Sequence, residues 1–152
     1  MKPFWKAVLL TWLFVGTTDI LSAYIHQFFL TGKFADKLLL YIAGGALGLE
    51  NSMKGGFWTG ALGLSFHYFI AFSFTLLFFL VYPKLKILSA NPYVVGMLYG
   101  VFASSFMTFI VLPLTKLPPR IIVFQNLIVA WLILGVVLGI PIALSAKRFY
   151  KK

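Results

Sequence analysis

Four long apolar runs constrain the fold of this chain more than any other feature. Each is long enough, at about 1.5 Å per residue in a helix, to cross the roughly 30 Å hydrocarbon core of a bilayer. Of the 152 residues, 61% are hydrophobic and only 11% are charged, which is far outside the range of a soluble domain. The sequence therefore predicts an all-α integral membrane protein, a single membrane domain over residues 1–152, whose four antiparallel helices span residues 5–30, 57–82, 93–112 and 121–144.

A shorter apolar stretch lies between the first and second runs, at residues 38–49. It covers only about 18 Å as a helix, which is too short to span a bilayer. Gly44, Gly45 and Gly48 permit breaks and close backbone approach. A helix on the membrane surface and a re-entrant half-helix lining a cavity both fit this length. We therefore expect a short interfacial or re-entrant segment at this place.

The N-terminal sequence MKPFWKAVLLTWLFVGTT has the outline of a secretory signal peptide, with a basic start and an apolar run. The apolar run, however, continues to Leu30 without a small-residue cleavage site at the right distance. We expect an uncleaved first helix. Cysteine is absent, which excludes disulfides and thiolate metal sites.

The net charge of +10 does not predict nucleic-acid binding, because the cations lie between and beyond the apolar runs. Anionic lipid headgroups and the positive-inside rule account for such charges, so membrane lipids are the expected partners. Four spans place both termini on one side. With the N-terminus inside, eight cations fall on the inner side and five on the outer side, which predicts that both termini lie inside. The inner cations are Lys2, Lys6, Lys84, Lys86, Lys147, Arg148, Lys151 and Lys152, and the outer ones are Lys33, Lys37, Lys54, Lys116 and Arg120.

Two ionisable side chains, Asp19 and His67, fall at matching depth inside the first and second predicted helices. Asp19 lies eleven residues before the end of its run and His67 ten residues after the start of its own. Both are thus about 15 Å from the same membrane boundary. An ionised carboxylate at the bilayer centre costs at least about 2.5 kcal/mol, and pairing relieves that cost. We predict a midplane polar site of Asp19 and His67, extended by Ser104 and Ser105 of the third helix.

Small residues at helical spacing predict close helix packing, since they allow backbones to approach. They are Gly60, Gly63, Gly96, Gly100, Gly135 and Gly139. Further polar side chains within or near the spans form a second set of candidates: His26, Tyr99, Thr108, Gln125 and Asn126.

The sequence resembles a family of small bacterial four-helix inner-membrane proteins of unknown function. The stretches that carry the resemblance are GTTDILSAYI, GLSFHYFIAFSFTLLFFLVYPKL, GMLYGVFASSFMTFIVLPLTKLPP and LGVVLGIPIALSAKRFY. It implies a bacterial cytoplasmic membrane and a four-span fold, but no activity. The polar motif positions of the family correspond to Asp19, His67, Tyr99 and the turn around Pro113. Two positions depart from its pattern, because Leu134 replaces a frequent His and Thr108 a frequent Asn, which argues against a metal site shared by the family.

The midplane pair has two interpretations. As a functional site it would relay a proton or cation or bind a solute, because Asp and His can change charge inside the membrane. As a structural element it would only fix helix register. Ser, His and Asp are the residue types of a nucleophilic triad, but no nucleophile-elbow motif is present, so we assign no catalytic residue.

No metal ligand set and no cofactor is predicted. His26 lies about 10 Å further out than Asp19 on the same helix, which prevents these side chains from converging with His67 on one ion. The many aromatic residues are typical of lipid-facing and interfacial positions and do not indicate a haem or quinone.

The sequence thus favours a small transporter or channel-like protein, or an accessory subunit of one, as a homo-oligomer or with a membrane partner. A lipid-binding or protein-interaction module without transport is the alternative, and a membrane enzyme acting on a lipid is a third.

Overall fold

A computed structural model describes residues 3–119 and 121–151 of the chain. Three cations counted in the charge comparison, Lys2, Arg120 and Lys152, lie outside the described residues. The described part is helical and contains no β-strand. The helices in chain order are Pro3–Thr31, Leu38–Leu47, Leu49–Met53, Phe57–Val81, Pro92–Phe106, Phe124–Leu134 and Ile140–Tyr150.

Four stretches are long and apolar enough to cross a membrane, which confirms the prediction of an all-α four-helix membrane bundle. They are the first span Pro3–Thr31, the second Phe57–Val81, the third Pro92–Leu114 and the fourth Phe124–Tyr150. The protein is a multi-pass membrane protein. We call the side of the bundle that carries residues 3–6, 82–91 and 147–151 the termini end, and the other side the opposite end.

The fourth span is shifted from its predicted place at residues 121–144. It begins later because residues 121–123 are not helical, and Val123 has extended backbone angles (φ −90°, ψ 120°). It ends later because the helix continues through Lys147 and Arg148 to Tyr150. Cations in the last turn of a helix interact favourably with its dipole, so the basic residues extend the helix rather than stopping it.

The third and fourth spans each contain a wide π turn, at Met107–Val111 and Gly135–Gly139. In both, a proline follows two residues later, at Pro113 and Pro141. Proline has no N–H and its ring clashes with the carbonyl four residues before it, which here lies inside the π turn. The wider turn accommodates the proline, so each span stays continuous.

The spans pack in a defined order. The first span packs against the second and the fourth, and the third span packs against the fourth. Backbones of the third and fourth spans meet where Gly96 faces Gly139 and Gly100 faces Gly135, and a Cβ at Gly100 would overlap the backbone of Gly135. These glycines allow the closest helix contact in the bundle.

The short segment between the first two spans folds back on itself and lies against the second span. Its helix Leu38–Leu47 ends at Gly48, whose positive φ of 83° favours glycine, and Leu49–Met53 follows. A Cβ at Gly63 would collide with the carbonyl of Leu39. Gly63 lies six residues into the second span, so the segment packs about 9 Å below the start of that span. This depth favours the re-entrant interpretation over a helix on the surface.

The hydrophobic core occupies the half of the bundle near the termini end. Phe78 and Phe79 of the second span are at most 1% exposed, and Ile142 of the fourth span is fully buried. Val8 and Val15 of the first span complete this packing. Among the described residues, Thr11 of the first span and Thr75 of the second are buried as well, and the Thr75 hydroxyl donates to the carbonyl of Ala71 at 2.8 Å.

Candidate intramembrane polar site

His67 and Asp19 lie together between the first and second spans, halfway along both. The imidazole Nε2 of His67 is 2.9 Å from the carbonyl oxygen of Gly16 and 4.0 Å from Oδ2 of Asp19. A carbonyl oxygen only accepts hydrogen bonds, so Nε2 carries a hydrogen atom and donates the hydrogen bond to the carbonyl of Gly16. At 4.0 Å the carboxyl group of Asp19 is beyond hydrogen-bond distance from this nitrogen. The two side chains are 13% and 20% exposed, for His67 and Asp19 respectively.

Other polar contacts hold the same two spans in register without Asp19. The indole N–H of Trp12 donates to the carbonyl of Tyr68 at 2.7 Å, and the hydroxyls of Thr17 and Tyr68 are 2.8 Å apart. Gly16 leaves room for the Tyr68 ring, since a Cβ there would lie 2.9 Å from it. The sequence analysis missed Tyr68, although a tyrosine in mid-span beside a histidine is a signal that could have identified it.

The second span receives hydrogen bonds from each of the other three spans through its backbone carbonyls. Trp12 of the first span bonds to Tyr68, as described above. Tyr99 of the third span donates to the carbonyl of Phe74 at 2.6 Å, and Tyr150 of the fourth donates to that of Phe79 at 2.8 Å. Each donor is an aromatic side chain whose ring also packs on the second span. The second span is therefore the element on which the bundle is assembled.

Ser104 and Ser105 do not extend the site in the way the sequence predicts. They belong to the third span, which packs on the fourth, and in the described part of the chain no hydrogen bond joins either hydroxyl to Asp19 or His67. Matching depth therefore did not bring them together, because the third span is not packed against the first. Ser104 is buried at 4% exposure.

The glycines at the predicted packing positions all lie against other helices. Gly96, Gly100, Gly135 and Gly139 form the contact of the third and fourth spans described above. Gly63 of the second span lies against Leu39 of the short segment. Gly60 faces the same segment more loosely, since a Cβ there would lie 3.9 Å from the Cβ of Leu39.

A second polar location lies at the opposite end, in a cavity of about 440 Å³ between the short segment and the third and fourth spans. Its walls are mostly apolar, but Tyr41, Thr108 and Asn126 bring polar groups to it. Thr108 stands in the π turn of the third span, and such turns are frequent at functional sites. Gln125 is exposed beside it, and His26 is half-buried on the first span.

One buried polar atom has no partner among the described residues, the indole Nε1 of Trp131 in the fourth span. Gly100 of the third span faces Gly135 of the fourth. Ser104 lies one helical turn after Gly100 and Trp131 one turn before Gly135, and the two spans are antiparallel. The buried indole nitrogen of Trp131 and buried Ser104 therefore lie at about the same level of the contact between the third and fourth spans. The described residues contain no group of three His, Asp or Glu that could hold a metal ion.

No family model, no curated protein and no solved structure matches this chain. The resemblance to small bacterial inner-membrane proteins therefore stays a prediction.

Proposed function

We propose that this multi-pass membrane protein is a small transporter, or the accessory subunit of one, in which Asp19 and His67 form the site that exchanges a proton or a cation. The observation that carries the proposal is the placement of a carboxylate 4.0 Å from an imidazole in mid-span, with both side chains at most 20% exposed. Ionisable groups at this depth are costly and mark ion pathways and proton relays in membrane proteins.

The alternative that Asp19 only fixes helix register receives little support from the contacts. Three hydrogen bonds already join the first two spans, from His67 to Gly16, from Trp12 to Tyr68 and between Thr17 and Tyr68. None of them uses the carboxylate. The Asp19 carboxyl group is costly to bury and is not needed to hold the helix register, so a role in binding a proton or a cation explains its presence.

Access to the site is limited on both sides in this conformation. Towards the termini end, Phe78 and Phe79 fill the bundle. Towards the opposite end, the short segment covers Gly63, one helical turn from His67. Transport through one chain therefore requires movement of the short segment and of the spans, or a second protein, which is why an accessory subunit is included in the proposal.

The test is ion flux into liposomes that contain the purified protein. Asp19→Asn keeps the shape and removes the charge, so we expect it to abolish proton or cation flux while the melting temperature changes little. Asp36→Asn is the matched control, because Asp36 is exposed in the loop after the first span and its loss should leave flux unchanged. Absence of flux in the parent protein, or full flux in Asp19→Asn, would contradict the proposal.

A lipid-binding module is the second candidate, and the cavity at the opposite end favours it. A mostly apolar cavity of about 440 Å³ with a few polar groups has the character of a ligand site. Ala130→Phe would fill this cavity, whereas Val129→Phe places the same bulk outside it. Loss of co-purified lipid in the first variant only would support this function.

We further propose a bacterial cytoplasmic membrane as its location, with both termini inside. The resemblance noted in the sequence supports the bacterial cytoplasmic membrane, and the excess of cations at the termini end supports the orientation.

A further inference from the structure

A basic pocket lies at the end of the fourth span and is separate from the proposed exchange site of Asp19 and His67. The pocket has a volume of about 400 Å³ and is lined by Leu144, Ser145, Lys147, Arg148 and Lys151. Three cations and one hydroxyl thus lie along the end of one helix, where the apolar span gives way to its basic last turn.

One of these cations is held in place by the neighbouring loop. The Lys147 ammonium donates a hydrogen bond of 2.9 Å to the carbonyl of Ala90. An ammonium has three N–H groups, so Lys147 keeps donors for a ligand after making this bond. The bond fixes the position of one charge, which lowers the entropy lost when a ligand binds.

No carboxylate side chain competes for these cations. The chain has only three acidic residues. Asp19 lies in mid-span, Asp36 lies in the loop at the opposite end, and Glu50 makes an ion pair of 2.7 Å with Lys54 at that end. The described residues at the termini end therefore carry positive side-chain charge with no acidic side chain to balance it.

We propose that this pocket, which we call the basic pocket, binds the phosphate of an anionic phospholipid. Arg148 and Lys151 supply charge, Ser145 supplies a hydroxyl, and Lys147 supplies a fixed ammonium. Leu144 is 40% exposed at the rim and offers an apolar surface to the start of an acyl chain. Basic residues at the membrane surface attract anionic lipids.

A lipid phosphate fits these observations better than a free phosphate ion. The pocket lies where a spanning helix leaves the membrane, which is the depth of lipid headgroups. The pocket is lined by the apolar side chain of Leu144 as well as by cations, and a free anion would have no acyl chain to contact Leu144. The ligand class is therefore a phospholipid with net negative charge.

The test compares melting temperatures in nanodiscs of phosphatidylcholine alone and of phosphatidylcholine mixed with phosphatidylglycerol. The variant is Arg148→Gln with Lys151→Gln, which leaves the bond between Lys147 and Ala90 intact. Its control is Lys33→Gln with Lys37→Gln, which removes the same charge at the opposite end. We expect phosphatidylglycerol to raise the melting temperature of the parent and the control, and most of this rise to be lost in the variant.

Two results would overturn the proposal. An equal rise in parent, variant and control would show that the anionic membrane acts without this pocket. A similar rise from inorganic phosphate added to the parent in detergent, lost in the same variant, would show a site for free phosphate instead.

Discussion

The carbonyl oxygen of Gly16 and the imidazole Nε2 of His67 lie 2.9 Å apart and join the first two spans at mid-depth. Because this nitrogen donates to Gly16 and lies 4.0 Å from Oδ2 of Asp19, the carboxyl group of Asp19 is a neighbour of the imidazole and not its hydrogen-bond partner. The structural role of His67 and the charge of Asp19 are therefore separable by mutation.

His67→Phe should lower stability, because it removes the donor to Gly16. Hydrogen bonds between spanning helices contribute about 0.6 kcal/mol on average and up to about 1.7 kcal/mol. His67→Gln keeps an N–H group and should lose less. Thermal unfolding in detergent measures both variants, and equal melting temperatures for the two would contradict a structural role for this bond.

Two tryptophans offer a matched comparison of a bonded and an unbonded indole. The N–H of Trp12 donates to the carbonyl of Tyr68 at 2.7 Å, whereas the buried N–H of Trp131 has no partner among the described residues. Leaving a buried donor unpaired costs about 1 to 3 kcal/mol, so Trp131→Phe removes a penalty while Trp12→Phe removes a bond. We expect a clear drop in melting temperature for Trp12→Phe and a smaller drop or a rise for Trp131→Phe. The reverse order would refute this account.

The sequence was sufficient to predict the spans, because length and hydropathy determine whether a helix can cross a bilayer. It also singled out Gly96, Gly100, Gly135 and Gly139, since small residues repeat at helical spacing. It did not predict that Gly96 faces Gly139 and that Gly100 faces Gly135, because the spacing of residues within one helix does not identify the helix it packs against. Tyr99 was predicted as a polar candidate without a partner, and Trp12 and Tyr150 were not predicted as donors, because a backbone carbonyl acceptor gives no signal in the sequence.

Within the candidate site, depth predicted the proximity of Asp19 and His67 but wrongly included Ser104. Depth fixes the height of a residue in the membrane and leaves its direction around the helix axis open. The third span turns Ser104 towards the fourth, and the contact order of the spans decides this. The short segment was ambiguous because its length fits two placements, and the contact between Leu39 and Gly63 that favours the re-entrant one is not visible in the sequence.

Gly100 and Gly60 should respond to alanine in opposite ways. A Cβ at Gly100 would overlap Gly135, and overpacking costs typically about 1 to 3 kcal/mol. A Cβ at Gly60 would make ordinary contact with Leu39 at 3.9 Å, and alanine favours helix over glycine by roughly 0.5 to 1 kcal/mol. Gly100→Ala should therefore melt at a lower temperature than the parent, and Gly60→Ala at the same or a higher one. Equal stability of the two variants would remove the argument for close contact at Gly100.

The absence of cysteine allows the orientation of the bundle to be tested with single introduced thiols. Ser89→Cys lies at the termini end and Asn51→Cys at the opposite end, and both native residues are exposed. With both termini inside, a membrane-impermeant maleimide added to intact bacterial cells should label Asn51→Cys alone. Ser89→Cys should react only after the membrane is opened. The opposite pattern would invert the orientation but keep the four spans, whereas labelling of both thiols in intact cells would contradict the four-span topology, since these loops are separated by the whole length of the second span.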